Sequence, residues 1–124
     1  MPCILIVDDS ATMRTHLSRI FASAGFTPEL AADGFAALDV LRARADIDAL
    51  LLDVHMPRMG GLELVEALRK ANLRPDLPIV ILSAEAGESL VARGRALGVR
   101  HWFVKPFQPD ALVHVVRTLL ASAS

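Results

Sequence analysis

ILIVDDS, residues 4–10, joins two signals in seven positions. Cys3–Val7 is an unbroken apolar run, as expected of a strand buried on both faces rather than one that alternates. Asp8 and Asp9 end the run at once, and Ser10 follows as a helix N-cap. Met13, Leu17, Ile20, Phe21 and Ala24 then recur at helical spacing until Gly25 stops them. The figure repeats down the chain. Thr27–Ala31 is a weaker strand before a helix carrying Phe35, Leu38 and Leu41. Ala49–Leu52 ends at Asp53, and a "MPRMGG" turn leads into a helix through Leu64, Ala67, Leu68 and Ala71. Pro78–Leu82 ends at Ser83 and precedes a helix over about Ala86–Leu97 that holds Gly87 and Gly94. Arg100–Val104 ends at Lys105-Pro106, and the last helix uses Leu112, Val115, Val116, Leu119 and Leu120. Strand–helix units in series predict an α/β fold, a doubly wound parallel sheet with right-handed crossovers. The two glycines make the fourth helix the candidate for movement rather than scaffold.

Length and charge bound the rest. The chain has 124 residues, one domain's worth, expected as 1–121 with a frayed tail at 122–124. A formal net charge of −1 argues against a nucleic-acid or anionic-membrane binder, which would show a basic excess. No apolar run approaches the roughly 18 residues of a membrane span, and the start lacks the basic region of a secretory signal. One cysteine, Cys3, forms no internal disulfide and reads as an apolar filler. Together these predict a soluble, cytoplasmic domain. His16, His101 and His114 show no ligand spacing with a cysteine partner, which argues against a zinc site.

In an open α/β sheet, ligands bind beyond the carboxyl ends of the strands. The residues that close the strands are therefore the candidates: Asp8 and Asp9, Asp53, Ser83 and Lys105. Clustered carboxylates repel unless they share a cation, and a hard divalent ion with oxygen ligands, Mg²⁺ above all, resolves that repulsion. A carboxylate beside such an ion can attack phosphorus and carry an acyl phosphate. The added negative oxygens then need a cation and a donor, which Lys105 and Ser83 supply. Lysine occurs only at Lys70 and Lys105 in an arginine-rich chain, which suits a place where a compact ammonium fits and a guanidinium fork does not. Each residue alone has a plainer reading as a cap, a turn or a solvated side chain; the set on one sheet edge is what carries the argument.

That set resembles the receiver domains of two-component response regulators, through ILIVDDS at 4–10, LLDVHMPRMGGLEL at 51–64, PIVILSA at 78–84 and FVKPF at 103–107. The resemblance implies a flavodoxin-like (βα)5 fold with strand order 2-1-3-4-5. It implies that Asp53 is the phosphoacceptor, and that Asp9, Asp53 and the backbone carbonyl of His55 hold Mg²⁺, or Mn²⁺ in its place. Asp8 acts on the metal through water, Lys105 contacts the acyl phosphate, and Ser83 swings toward it. The Lys105–Pro106 bond is implied to be cis. A sensor histidine kinase or phosphotransfer protein is the implied donor, and a protein partner binds the face of helix four, strand five and helix five. Catalysis is confined to the chain's own phosphorylation and dephosphorylation, so it is not an enzyme acting on other substrates.

Three positions are less typical of that family. Trp102 stands where a switch Tyr or Phe is usual, and either rotates inward or packs at the sheet edge. His55, two residues after Asp53, and Glu85, two after Ser83, are positions able to tune the phosphoryl lifetime. Alternatives remain at this stage: a receiver excised from a hybrid kinase or larger regulator, a pseudo-receiver that works without phosphorylation, or an Asp-dependent phosphatase. The phosphatase reading lacks the usual D-x-D directly after a strand and any cap; an FMN binder would meet two carboxylates where the phosphate should sit. A stand-alone monomer or weak homodimer is expected.

Overall fold

The computed structural model describes residues 1–123 as five strands and five helices in strict alternation. They are β1 (Cys3–Val7), α1 (Ala11–Ser23), β2 (Thr27–Ala31), α2 (Gly34–Ala43), β3 (Ala49–Leu52), α3 (Gly61–Lys70), β4 (Ile79–Ser83), α4 (Glu88–Ala96), β5 (His101–Val104) and α5 (Pro109–Ala123). All strand pairs are parallel, in the order β2-β1-β3-β4-β5. No described helix is long and apolar enough to cross a membrane.

The continuous apolar strands are the central ones. Every residue of β1, β3 and β4 is buried. Their alternate side chains feed two cores. Leu5, Val7, Leu50, Leu52, Ile79 and Ile81 meet Leu38, Leu41, Leu62, Leu64 and Leu68 of α2 and α3. Ile4, Ile6, Leu51, Val80 and Leu82 meet Leu17 and Phe21 of α1 and Leu112 and Val116 of α5 on the other face. The edge strands are more exposed, and β2 carries Pro28, which has no N–H to offer another chain.

Helix ends follow local chemistry. The Ser10 hydroxyl accepts from the Met13 amide at 3.2 Å, and Asp33 caps α2 by accepting from Ala36 at 2.9 Å. Gly25 and Gly98, at φ 91°, follow α1 and α4 in the left-handed conformation that ends a helix. Three expectations need correction. Gly87 is not inside the fourth helix: with φ −60° and ψ 149° it is the extended N-cap, its carbonyl accepting from Val91, so Gly94 is the helix's only internal glycine. The last helix also continues through Ala123, so Ser122 and Ala123 belong to it, while Ser124 lies outside the described residues. Strand four is shifted by one residue. Pro78 contributes its carbonyl to Leu50, and Ser83 is the last strand residue.

Register places the next layer of residues. Val7 lies opposite Leu52 in the β1–β3 pair, and Asp53 donates its amide to the Val7 carbonyl at 3.0 Å. Asp8 and Asp53 therefore leave the sheet side by side. Ser83 lies opposite Val104, and Lys105 donates its amide to the Ser83 carbonyl at 2.8 Å.

Candidate functional site

The carboxyl edge of the sheet gathers what the register promises. A carboxylate oxygen from each of Asp8, Asp9 and Asp53 lies within 4.8 Å of the others. Asp8 and Asp53 are buried, whereas Asp9 is exposed at the mouth. Lys105 Nζ reaches across from the β5 end to Asp8 Oδ2 at 3.1 Å and Asp53 Oδ2 at 3.2 Å. Burial pulls the Lys105 ammonium toward its neutral form, but the hydrogen bonds and charges of Asp8 and Asp53 together outweigh it, and its pKa is raised.

The remaining carboxylate atoms are held from the backbone. Asp8 Oδ1 accepts from the Ser10 amide at 2.9 Å, and Asp53 Oδ1 from the His55 amide at 3.3 Å. Arg14 Nη1 donates to the Asp8 carbonyl at 2.7 Å, tying α1 to the end of β1. Asp9 has no hydrogen bond or ion pair among the described residues. Three carboxylates thus face one ammonium, and the only unengaged carboxylate is the one open to solvent. This all-oxygen donor set with an excess of negative charge fits a hard divalent cation such as Mg²⁺.

Ser83 is fully buried at the end of β4, and its hydroxyl accepts from the Glu85 amide at 3.2 Å. It is a neighbour of the acidic cluster without a hydrogen bond to it. The Lys105–Pro106 peptide is cis. Trp102 lies over α4, where a Cβ on Gly94 would meet its ring at 3.0 Å, and its indole N–H donates to the Glu85 carbonyl at 2.9 Å. His55 and Glu85 are both exposed, and they meet: His55 Nε2 lies 3.3 Å from Glu85 Oε2.

Sequence reasoning missed three contributors. Gly61 starts α3 against the carbonyl of Asp53; a Cβ there would collide with Asp53 O and Leu52 Cδ1. The doubled glycine in MPRMGG was the available signal. The bonds from Glu85 to Trp102 and His55 had none, since they join residues far apart in sequence, one on β5 and one after β3.

The profile of the response regulator receiver domain family matches residues 4–117. The chain belongs to the response regulator receiver family. This receiver is 35% identical to a chemotaxis protein CheY homolog of Campylobacter jejuni, over 98% of this chain and 94% of that protein. It is 40% identical to the response regulator MprA of a Mycobacterium species, over 98% of this chain but about half (51%) of that one. Among solved structures, chemotaxis protein CheY4 of Vibrio cholerae superposes with a TM-score of 0.89 at 35% identity, covering 96% of the receiver and 98% of CheY4. The strand order and helix placement are those of the CheY-like fold. This is a receiver domain of the CheY-like kind used in two-component signalling, a class that interacts with histidine kinases and downstream effectors.

Proposed function

We propose that Asp53 accepts a phosphoryl group from a phosphohistidine of a sensor histidine kinase or phosphotransfer protein, and that the modification changes the partner-binding face formed by α4, β5 and α5. The observation that carries this reading is the Lys105 ammonium bridging Asp8 and Asp53 beside the unengaged Asp9. An Asp53 carboxylate oxygen attacks phosphorus, the P–N bond breaks, and its electron pair goes to the imidazole nitrogen of the donor, which then takes a proton from solvent. Lys105 moves from pairing with carboxylates to pairing with the new phosphoryl oxygens. Asp9, Asp53 and the His55 carbonyl would hold Mg²⁺, with Asp8 acting through water; the ion, when bound, offsets the repulsion among carboxylates and phosphoryl oxygens.

Ser83 supplies the relay. Its hydroxyl exchanges the Glu85 amide for a phosphoryl oxygen, and the β4–α4 segment that contains Glu85 moves with it. Glu85 holds Trp102 through its carbonyl and His55 through its carboxylate, so movement there reaches α4 and the site mouth together. Trp102 acts as an anchored strut rather than a free rotor. His55 and Glu85 set how readily water reaches the acyl phosphate.

The test is intact mass after incubation with acetyl phosphate, with and without Mg²⁺, on wild type and Asp53→Asn. The expected result is a single phosphoryl adduct that requires both Mg²⁺ and Asp53. An equal adduct on Asp53→Asn, or none on wild type with Mg²⁺, would overturn the assignment.

A further inference from the structure

The turn between β1 and α1 holds its two acidic residues in opposite ways. Every polar atom of Asp8 has a partner. Its amide donates to the Ala31 carbonyl at 3.2 Å. Oδ1 accepts from the Ser10 amide at 2.9 Å, Oδ2 from Lys105 Nζ at 3.1 Å, and the carbonyl from Arg14 Nη1 at 2.7 Å. Asp9, next in the chain, makes no bond of its own among the described residues. The place of its carboxylate is therefore set by the main chain on either side. The Asp8 carbonyl and the Asp9 amide belong to one planar peptide unit, so a donor that fixes the first also orients the second. On the far side, the Ser10 carbonyl accepts from the Arg14 amide at 2.9 Å. Arg14 thus grips the turn twice, by its guanidinium on Asp8 and by its amide on Ser10, one residue to either side of Asp9.

What Arg14 leaves alone matters as much. Arg44, Arg58 and Arg93 all pair with carboxylates. Arg14 instead directs its bond to a carbonyl, and among the described residues the ion pairs of Asp8 and Asp53 are with Lys105. A guanidinium bound to Asp9 would occupy the oxygens that a divalent ion needs. One bound to the neighbouring peptide orders that ligand and leaves its oxygens open.

We propose that Arg14 is a positioning residue for the divalent-cation site: by clamping the main chain on both sides of Asp9, it holds an otherwise unsupported carboxylate where it can ligate Mg²⁺ together with Asp53. The inference rests on the reading of the acidic cluster as a cation site, and adds the residue that shapes the site before the ion arrives. A ligand already ordered loses less freedom on binding, so the clamp raises affinity without touching the ion. Charge and clamp act in opposite directions. Removing a cation from the neighbourhood of three carboxylates deepens their negative potential and tightens Mg²⁺ binding. Removing the clamp frees Asp9 and weakens it.

The experiment is calorimetric titration of the unphosphorylated full chain with Mg²⁺ at constant ionic strength, on wild type, Arg14→Met, Arg14→Gln, Arg14→Lys and Arg19→Met. Met and Gln both remove the guanidinium and have helix propensities close to that of Arg; the first keeps the apolar stem and the second a polar surface, so one folded variant suffices. Circular dichroism in EDTA checks the fold. Loss of the guanidinium is expected to weaken Mg²⁺ binding by about tenfold, the usual scale for losing a group that orients a metal ligand. Arg14→Lys keeps a donor on a long stem and is expected to recover most of that loss. Arg19 is exposed on the same helix and has no bond to the turn, so Arg19→Met removes an equal charge and is expected to bind Mg²⁺ at least as tightly as wild type. Binding by Arg14→Met or Arg14→Gln as tight as wild type, or tighter, would overturn the proposal. So would Arg14→Lys as weak as Arg14→Met, or equal weakening in Arg19→Met. A wild type that binds no Mg²⁺ would refute the cation site and this inference with it, whereas a wild type that binds the ion with indifference to Arg14 refutes the inference alone.

Discussion

Gly61→Ala measures how tightly the start of α3 is pressed against Asp53, the proposed phosphoacceptor. An added methyl collides with the carbonyl oxygen of Asp53 and with Leu52 Cδ1, and sits 3.0 Å from the Asp53 carbonyl carbon. Two of those three atoms are backbone and do not rotate away, so relief takes a main-chain movement of about 1 Å at the end of β3. Overpacking of this kind costs about 1–3 kcal/mol, and the rigid neighbours place this site in the upper half. The gain in helix propensity from Gly to Ala, at most about 1 kcal/mol and smaller at a first turn, does not offset it. For a domain of this size the net loss lowers Tm by about 5–10 °C. The same displacement moves Asp53 relative to Lys105, so phosphorylation by acetyl phosphate is expected to slow by about tenfold or more. Gly94→Ala is the contrast. There the nearest atoms belong to the Trp102 ring at 3.0 and 3.3 Å, which can give, and the propensity gain of about 1 kcal/mol at an internal helix position offsets the crowding. Thermal unfolding followed by circular dichroism and a mass-resolved phosphorylation time course provide the readings. A Gly61→Ala protein within about 2 °C of wild type and phosphorylated at the same rate would refute the reasoning.

Lys105→Met is expected to destabilise the fold at neutral pH, because Asp8 and Asp53 lose their shared cation. The folded-state pKa of Lys105 is raised above its ordinary 10.5, so its contribution is complete below that pH and is lost as pH rises through the folded value. The gap in urea midpoint between wild type and Lys105→Met should therefore narrow above pH 10.5; a gap unchanged well into alkali would count against the ion pair. For His55 and Glu85, the exposed pair contributes at most about 1 kcal/mol to stability. The lifetime of the phosphoryl group should nonetheless change in His55→Ala and in Glu85→Ala, and the double variant should depart from the product of the two effects. Strictly multiplicative effects on dephosphorylation would show that the two side chains act apart.

The acidic cluster was legible because it depends on strand ends, and strand ends are visible wherever an apolar run stops at a charged residue. Asp8, Asp9, Asp53 and Lys105 all follow such runs, and parallel register brings them together without further information. The edge strands were harder to read: Thr27–Ala31 and His101–Val104 lie at the sheet margin and carry polar residues among apolar ones. Gly87 misled because composition counts a glycine as a helix defect wherever it falls, while its extended backbone makes it the cap. The behaviour of Trp102 was not legible at all. Its hydrogen bond and its seat over Gly94 depend on how α4 approaches β5, a distance that no local pattern encodes.

The bond from Lys105 to Asp8 spans most of the chain, its donor and acceptor 97 positions apart in sequence. It has a consequence for the order of synthesis. The carboxylates are translated first and their counter-ion last, on a strand paired only with β4. A nascent receiver lacking β5 presents Asp8, Asp9 and Asp53 without their ammonium, so the proposed competence to be phosphorylated arrives with the completed sheet rather than growing with it. On the proposed reading, a signal written on Asp53 is in this sense also a certificate that translation has passed β5.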